Sequence, residues 1–498
     1  MKYIFSEAIK RNIEHTYTFA HVKGAFGYQG SADKYDPHDF FQEAIERNPF
    51  KAFMELDGFQ FKRTINTINR YGIPFTAEQE RRAKIYHDVT ESMANSRSDF
   101  TQQYIDGSTT GTGIIKLNDE YLLTTKETLA VAKFIKRLPT NKLTSNVIYE
   151  NELSDTLLAS KEQLKALKTS LEQHISSIIG GAGTGKSYVT AAVIDQLMLN
   201  DKKVAILAPT HKAKEALQEK LNRGTVRTIH SFVHSNKSED HEVDAIVIDE
   251  SGMLSTPLFH SLTKVYDGQQ LIFIGDKNQL PPVEYGRPFE LIQETHTVTE
   301  LRQNHRSEAR DIVSLGNQIL GIPQNANLEP ENIEVVNTTK EAFDKGAEVI
   351  LSYTNANVQA INEERRIKHG PDSISPQFKI GESIIAKTNY QGKFYNGQLF
   401  NVTGFNTITN AKTGKTVRIA SQKELDYNFD YAYALTIHKS QGSEFNVVAY
   451  QPSPLDSMEL AYVAVTRAKK KLMIIGGLND EYPRAQKWKQ LKEAGVEY

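Results

Sequence analysis

One glycine-rich segment of the chain has the residue types and the spacing that bind phosphate. It reads Gly180-Gly181-Ala182-Gly183-Thr184-Gly185-Lys186-Ser187. This is the G-x-x-x-x-G-K-[ST] pattern of a P-loop, in which backbone N–H groups and a lysine hold phosphate oxygens and a hydroxyl ligates Mg²⁺. An apolar run precedes the segment and a helix-compatible run follows it, as a strand–loop–helix context requires. The segment therefore predicts a nucleotide-binding protein.

Two adjacent carboxylates, Asp249 and Glu250, stand at the end of an apolar run over residues 245–249. A hard Mg²⁺ ion prefers oxygen ligands, so Asp249 and Ser187 are the predicted metal ligands. Glu250 is the predicted group that orients and deprotonates an attacking water. An acidic pair at a helix N-terminus is the simpler interpretation of these two residues alone. Their position downstream of a P-loop favours the catalytic interpretation.

Gln279 and two arginines complete the candidate catalytic set. Gln279 follows the apolar run at residues 271–275, where an amide can hydrogen-bond a γ-phosphate or its attacking water. Arg306 and Arg467 are candidates for guanidinium groups that reach a γ-phosphate from another domain, which is typically worth about 10³–10⁵ in rate. A lone arginine is usually a surface residue. The functional interpretation of Arg306 and Arg467 therefore depends on the segments around them.

The composition limits the class of protein. The 498 residues include 59 Lys and Arg against 61 Asp and Glu, so a nucleic-acid site must be a local groove and not the whole surface. The absence of cysteine excludes disulfides, thiolate metal sites and cysteine nucleophiles. No apolar run approaches the roughly 20 residues of a membrane span, and the N-terminus lacks the apolar core of a secretory signal. We expect a cytoplasmic protein without a membrane partner.

Short apolar runs alternate with helix-length segments from about residue 172 onward, which is typical of parallel sheets covered on both faces. The predicted strands are residues 175–179, 204–208, 245–249, 271–275, 349–353, 447–450 and 472–475. They form two groups, which predicts two α/β domains at 151–300 and 301–498. Short β-like pieces with turn signals at about 380–430 predict a β-rich insertion in the second domain. We expect residues 1–150 to form a separate, mainly helical N-terminal domain, for which the sequence indicates no function.

With these segments identified, the chain resembles a superfamily 1 helicase over roughly residues 150–480. The motifs stand in the family's order. Gln163 resembles the glutamine motif that reads adenine, and two DNA-contacting motifs follow, Ala208-Pro209-Thr210-His211-Lys212-Ala213 and Thr228-Ile229-His230-Ser231-Phe232. The family's numbered motifs two to six are then matched by Asp249-Glu250, residues 275–282, Asn304-His305-Arg306-Ser307, Thr436-Ile437-His438-Lys439-Ser440-Gln441-Gly442-Ser443-Glu444-Phe445 and residues 463–469.

The resemblance implies two RecA-like motor domains that sandwich ATP and Mg²⁺ and couple hydrolysis to DNA unwinding. The implied nucleotide-binding residues are Gln163, Gly180, Gly181, Ala182, Gly183, Thr184, Gly185, Lys186, Ser187, Gly442 and Glu444. The implied contacts to single-stranded DNA are Pro209, Thr210, His211, Thr228, His230, Thr436 and His438. Such contacts are largely to the backbone, so they are sequence-independent and sensitive to salt.

Two segments resemble the RecD-like and Dda-like branch of the superfamily: Gln279-Leu280-Pro281-Pro282 and residues 438–445. The resemblance implies 5′→3′ movement along single-stranded DNA, forked duplex DNA as a substrate, and an SH3-like identity for the insertion at 380–430. It also implies a bacterial or phage origin and a role in replication, recombination or repair.

Two departures from the branch leave other functions open. Relatives often carry a strand-separating β-hairpin between Phe232 and Val243, but here that segment has ten residues and is poor in β-formers. A single-strand translocase or remodeller with weak unwinding is therefore an alternative. The motor resemblance also does not explain residues 1–150, so a further alternative is a module that recruits a protein partner, with the motor as an accessory.

Overall fold

The computed structural model describes residues 3, 5–17, 35–56, 59–96, 98–102, 112–116, 122–143, 146–153, 160–221, 223–235, 238–304, 309–322, 330–367, 378–390 and 393–477. Arg306, one of the predicted arginine fingers, lies outside these residues. No helix in the described ranges is long and apolar enough to cross a membrane.

The described strands fall into four sheets. In chain order they are β1 (Thr101–Gln102), β2 (Ile114–Lys116), β3 (Leu122–Thr125), β4 (Ile175–Gly180), β5 (Val204–Ala208), β6 (Val226–Thr228), β7 (Ala245–Ile248), β8 (Gln270–Gly275), β9 (Thr297–Leu301), β10 (Ile333–Val336), β11 (Val349–Ser352), β12 (Ser383–Ala386), β13 (Leu399–Gly404), β14 (Thr407–Asn410), β15 (Thr416–Arg418), β16 (Phe429–Tyr431), β17 (Ala434–Thr436), β18 (Phe445–Tyr450) and β19 (Ala468–Ile475).

The described α-helices connect or cover these strands. They are α1 (Glu7–Thr16), α2 (Pro37–Arg47), α3 (Pro49–Met54), α4 (Phe61–Arg70), α5 (Ala77–Ser96), α6 (Lys126–Arg137), α7 (Lys161–Glu172), α8 (Lys186–Leu199), α9 (His211–Gln218), α10 (Ile229–Val233), α11 (Thr256–Thr263), α12 (Pro288–Thr295), α13 (Arg310–Ile319), α14 (Thr339–Asp344), α15 (Asn355–Ile367), α16 (Gln422–Asn428), α17 (Ile437–Ser440) and α18 (Met458–Thr466).

Two parallel sheets form the centre of the molecule. The first has the order β6-β5-β7-β8-β4-β9 and the second the order β10-β19-β18-β11-β17. All of their ladders are parallel. The side chains of β4, β7 and β8 are buried along their whole length, because helices cover both faces of such sheets. The prediction of two parallel α/β units is confirmed.

The β-rich insertion is an antiparallel sheet of five strands in the order β15-β14-β13-β12-β16. Its apolar cluster includes Phe394, Phe400 and Phe429, which are almost fully buried. Inward-facing residues alternate with exposed ones along β13, as expected for a sheet with one solvated face. A β-rich insertion is therefore confirmed, while its SH3-like identity stays a prediction.

The N-terminal region is mainly helical, as the sequence predicts. Helices α1 to α4 enclose an aromatic cluster, in which Phe41 contacts Phe5 and Phe53 edge-to-face at ring-centroid distances of 5.7 and 5.2 Å. This geometry suits the quadrupoles of the rings. A small antiparallel sheet of order β1-β3-β2 follows. The aromatic side chains of this cluster thus form a core.

Helix α6 lies within the predicted N-terminal domain but packs on the first parallel sheet. Its residues Val131 and Ile135 share a buried apolar cluster with Ile175 and Phe273 of that sheet. The boundary at residue 150 remains a prediction, and the packing shows that the segment before it is attached to the first α/β unit.

The loop after β8, residues 276–287, joins three parts of the structure. Leu280 packs in the apolar cluster of the second α/β unit. Tyr285 packs in a cluster with Val89 and Leu123 of the N-terminal region. The Arg287 N–H also donates to Asp99 Oδ1 at 3.1 Å. This loop is therefore held at both ends by elements that are distant in sequence.

Gly286 provides a test of this packing. Its φ is +87°, and a Cβ placed on it would lie 1.9 Å from Thr256 Oγ1. Gly286→Ala should lower the free energy of unfolding by about 2–4 kcal/mol, because it adds overpacking to an unfavourable backbone conformation. The measurement is the unfolding midpoint in urea.

Gly268→Ala is the matched control. Gly268 has a φ of +86° but no atom within 4 Å of a Cβ, so its cost should be only the backbone term of about 1 kcal/mol. Equal losses in the two variants would contradict the packing described for the 276–287 loop.

Candidate functional site

The glycine-rich segment forms the turn between β4 and α8. Strand β4 ends at Gly180 and helix α8 begins at Lys186. Gly183 and Gly185 have φ values of +78° and +82°, which side chains rarely tolerate. The Lys186 ammonium donates to the carbonyl oxygens of Gly180 and Gly181 at 2.6 and 2.9 Å. The segment thus has the strand–turn–helix geometry that the sequence predicts for a phosphate-binding loop.

Gln163 lies against this turn from helix α7, whose first turn is capped by Ser160. The Gln163 side chain is 2% exposed, and its Nε2 donates to the carbonyl oxygen of Thr184 at 3.3 Å. Its Oε1 is buried without a hydrogen-bond partner in the described part of the chain. A buried acceptor without a donor is costly, so this oxygen is suited to accept from a ligand.

Asp249 and Glu250 follow β7, at the same sheet edge as the P-loop, because the carboxyl ends of parallel strands share one edge. Burial, and then repulsion by Glu250, raises the pKa of Asp249 to about 7, while Lys186 acts in the opposite direction. Glu250 has a left-handed backbone, with φ +51° and ψ +40°. Such strain in a residue other than glycine often marks a functional position.

Asp249 and Ser187 fit a hard divalent cation. The carboxylate and hydroxyl are oxygen ligands of the kind Mg²⁺ prefers, and a nearby cation would favour the ionised form of Asp249. The Ser187 hydroxyl accepts from Lys220 Nζ at 3.1 Å. In the described ranges no group of three or more His, Cys, Asp or Glu side chains could hold a metal ion. A cation here would therefore need further ligands from phosphate and water.

The second α/β unit reaches the P-loop through Tyr462 of helix α18. The Tyr462 hydroxyl accepts from the Ala182 N–H at 2.9 Å and donates to Asp276 Oδ2 at 3.0 Å. Lys186 Nζ lies 3.8 Å from the same Asp276 oxygen. One hydrogen-bonded cluster thus connects the P-loop, the loop after β8 and helix α18.

Arg467 stands at the C-terminal end of helix α18 and is 6% exposed. Its Nε donates to the Val463 carbonyl oxygen and its guanidinium also donates to the Ser443 carbonyl oxygen, both at 3.2 Å. The second bond fixes Arg467 against the segment that contains Gly442 and Glu444. Glu444 itself is exposed and pairs with Lys469 at 3.2 Å.

Gln279 lies at the boundary between the two α/β units. It lines a cavity of about 180 Å³ together with Asp276 of its own loop and Glu459 of helix α18. Gly442 also faces the first unit, because a Cβ on it would lie 3.5 Å from the Ala213 backbone nitrogen. Both residues therefore lie where a change in the relative position of the two units would change their contacts.

The two Thr-Ile-His segments occupy equivalent positions in the two parallel sheets. Thr228 ends β6 and Thr436 ends β17, and each of these is an edge strand. Each threonine hydroxyl caps the short helix that follows, accepting a backbone N–H at 3.2 Å. His230 and His438 are exposed on these helices. The structure thus places the same residue types at one edge of each unit.

The segment around His211 contacts the β-rich insertion. Pro209 is buried, and the Thr210 hydroxyl caps α9 by accepting the Ala213 N–H at 3.1 Å. The His211 ring stacks on Tyr395 with centroids 3.6 Å apart and an interplanar angle of 9°. His211 was predicted as a DNA contact, and the structure shows that one face of its ring is covered by Tyr395.

Two further contacts cross the same boundary. The Gln398 amide donates to the Glu215 carboxylate of helix α9, and Lys412 pairs with Glu219 at 3.2 Å. Together with the His211–Tyr395 stack, they attach the insertion of the second unit to the first unit.

The sequence analysis did not identify three residues that take part in the contacts of the site. Asp276 lies within the third motif and Tyr462 directly precedes the sixth, but the motifs alone predicted no function for either side chain. Lys212 is half-buried and donates to the Lys439 carbonyl oxygen. Burial, and then the charge of Arg467, lowers the pKa of Lys212 to about 7. The partner of each of these residues is distant in sequence, so local pattern could not identify it.

Comparison with known proteins gives two family matches. Residues 158–321 match the model of an AAA domain, and residues 431–475 match that of a UvrD-like helicase C-terminal domain. These ranges contain the P-loop with the Asp249-Glu250 pair, and the helix that precedes Arg467, respectively. The match to the second family ends at the last strand of the second parallel sheet.

The curated proteins that this chain resembles include a DNA helicase and subunits of the RecBCD enzyme. The ATP-dependent RecD2 DNA helicase of Deinococcus radiodurans is 27% identical over 357 residues, which cover 64% of this chain and 49% of that protein. The RecBCD enzyme subunit RecD of Mycobacterium tuberculosis H37Rv is 25% identical over 402 residues, covering 63% of this chain and 69% of that protein. This chain thus matches about half the length of the Deinococcus protein.

Among solved structures, a Bacteroides Pif1 bound to ssDNA is 20% identical, with a TM-score of 0.46 and coverage of 68% of this chain and 97% of that chain. The family matches and the RecD relatives agree with the order of the motifs along the sequence. The chain is therefore similar to superfamily 1 helicases of the RecD-like branch.

Proposed function

We propose that this chain is an ATP-dependent DNA helicase that moves 5′→3′ along single-stranded DNA and separates forked duplex DNA. The observation that supports this most directly is the contact between the P-loop of the first α/β unit and Tyr462 of the second. A nucleotide bound at this boundary would touch both units, so its hydrolysis would be coupled to their relative movement.

The residues of the first unit would bind and orient ATP. Lys186 and the P-loop N–H groups would hold the phosphates, and the buried Gln163 Oε1 would accept from the exocyclic amine of adenine. Asp249 and Ser187 would hold Mg²⁺, which would neutralise charge on the phosphates. Glu250 would orient and deprotonate the attacking water, and Gln279 would hydrogen-bond that water or the γ-phosphate.

The second unit would complete the site. Arg467 would stabilise the charge that develops on the γ-phosphate, and the segment with Gly442 and Glu444 would link the nucleotide to DNA. Arg306 is proposed as a second guanidinium on the strength of its motif. Because these groups belong to the second unit, efficient hydrolysis would require the two units to close.

Single-stranded DNA would run across the corresponding edges of both sheets. Thr228 with His230, and Thr436 with His438, would contact its backbone, with Pro209, Thr210 and His211 as further contacts of the first unit. Opening and closing around ATP would alternate the grip of the two units and move the strand. The proposed role is in DNA replication, recombination or repair.

A single-strand translocase with weak unwinding is the second candidate. In the described part of the segment between Val233 and Ala245 there is a short 3₁₀ turn, Ser238–His241, and no strand. A hairpin that separates strands would need β-pairing, so this observation favours translocation over unwinding. A protein partner of the N-terminal region is a further proposal, which the attachment of that region to the 276–287 loop makes relevant to the motor.

Lys186→Ala should reduce ATP turnover at least about 100-fold, because the phosphates lose their principal point charge. The measurement is phosphate release with and without single-stranded DNA. Lys202→Ala is the control, since Lys202 pairs with Asp244 at 4.0 Å on the opposite side of the first unit. Normal turnover in Lys186→Ala would refute the assignment of the ATP site.

Arg467→Ala should retain nucleotide binding but lower kcat by about 10³, since its guanidinium acts on charge that develops during hydrolysis. Nucleotide binding by fluorescence titration and steady-state turnover measure the two effects separately. The exposed Arg302, paired with Glu300 at 2.7 Å, provides a control variant, Arg302→Ala. Undiminished turnover in Arg467→Ala would remove this residue from the catalytic set.

Strand displacement with ATP should occur on a duplex with a 5′ single-stranded tail and not on the matched duplex with a 3′ tail. Displacement from the 3′ tail alone would overturn the proposed polarity and keep the motor. Stimulation of ATP hydrolysis by single-stranded DNA without displacement from either tail would instead support the translocase.

A further inference from the structure

The Tyr462 hydroxyl occupies a buried position between the two α/β units. Its side chain is 1% exposed and Asp276 is 2% exposed. Burial, and then the charge of Asp276, raises the pKa of Tyr462, so the hydroxyl keeps its proton. That proton is donated to Asp276 Oδ2, which leaves an oxygen lone pair to accept the Ala182 N–H. The hydroxyl thus acts as the donor in one bond and as the acceptor in the other, as a phenolic O–H can.

The hydrogen bond in which the Tyr462 oxygen accepts from the Ala182 N–H involves a group of the P-loop itself. Ala182 lies in the middle of the P-loop, where backbone N–H groups turn toward phosphate in a nucleotide complex. A backbone amide carries one hydrogen, so a phosphate oxygen and the Tyr462 oxygen cannot both take the full hydrogen bond. A well-formed bond to one acceptor excludes the other.

The ring of Tyr462 has a separate structural role. A Cβ on Gly316 of helix α13 would lie 3.2 Å from the ring, so Gly316 gives the ring its space. The ring also belongs to the apolar cluster of the second unit. Removal of the hydroxyl alone would leave this packing in place.

We propose that Tyr462 is a positioning residue that competes with nucleotide phosphate for the Ala182 N–H. This rests on the proposed ATP site. Nucleotide binding releases the hydroxyl from the P-loop. Because Tyr462 lies in the middle of helix α18 and Arg467 is the residue that ends this helix, the release acts on the helix that positions the arginine. The contact between the second unit and the P-loop thereby depends on whether the P-loop holds phosphate.

Tyr462→Phe in the full chain tests the proposal. The variant keeps the ring and loses the competing oxygen, so its affinity for the fluorescent nucleotide mant-ADP should rise roughly three- to tenfold, the equilibrium equivalent of one hydrogen bond. Steady-state assays with single-stranded DNA should show a lower KM for ATP without a matching rise in kcat. Unchanged or weaker binding of mant-ADP would overturn the proposal.

Thermal unfolding provides a second readout, because binding and stability are linked. Without nucleotide, Tyr462→Phe should unfold at a lower temperature than the wild type. With saturating ADP the difference should shrink, since nucleotide has then displaced the bond in the wild type as well. A difference of the same size in both conditions would show that the hydrogen bond persists beside the nucleotide, and would contradict the proposal.

Tyr450→Phe is the matched control. Tyr450 is fully buried in the same apolar cluster, and its hydroxyl donates to Asp456 Oδ2 at 2.5 Å within the second unit. This variant should lose stability equally with and without ADP and keep the wild-type affinity. Failure of the wild type to bind mant-ADP would refute the proposed function itself, whereas normal wild-type binding with an unaltered Tyr462→Phe affinity would refute only the competition.

Discussion

The hydrogen bond from the Tyr462 hydroxyl to the Asp276 carboxylate sets how the two α/β units meet. A buried carboxylate without donors is costly, and Asp276 obtains its donors from Tyr462 and from the Asn278 backbone N–H at 3.0 Å. Helix α18 is otherwise almost entirely apolar and buried. Apolar contacts alone would permit several orientations of such a helix, and the polar contact selects one of them.

The position of the 276–287 loop follows from the same constraint. Asp276 begins the loop at the unit boundary, and Tyr285 near its end is buried in the N-terminal cluster. The loop carries Gln279 between these two anchors. The chain is therefore anchored on both sides of Gln279, by the second unit at Asp276 and by the N-terminal region at Tyr285. The N-terminal region is thus a neighbour of the candidate site and not only an appendage.

The two parallel sheets use one local device twice. In each, an edge strand ends in threonine, the hydroxyl caps a short helix, and an exposed histidine follows. The device is encoded locally, since a capping threonine needs only the N–H groups two or three residues ahead. Its duplication places the same residue types at corresponding edges of the two units.

Much of the fold could be predicted because its signals are local. Strand β5 has the predicted bounds, and β7 ends one residue earlier than predicted, at Ile248. Continuous apolar runs of this length, separated by helix-length connections, leave few alternatives to a buried parallel strand. The start of β18 at Phe445 was missed by two residues, because its first half is only partly buried and its pattern is correspondingly weak.

The sequence by itself determined the P-loop, the carboxylate pair after β7, the order of the motifs and the presence of two parallel α/β units. Each of these depends on residues that are close in the chain and on backbone geometry that glycine, threonine or an apolar run imposes directly. Only the tertiary structure decided that Tyr462 reaches Ala182, that Tyr395 stacks on His211, and that Tyr285 joins the N-terminal cluster. The partners in these contacts are separated by more than 150 residues, and their meeting depends on how whole elements pack.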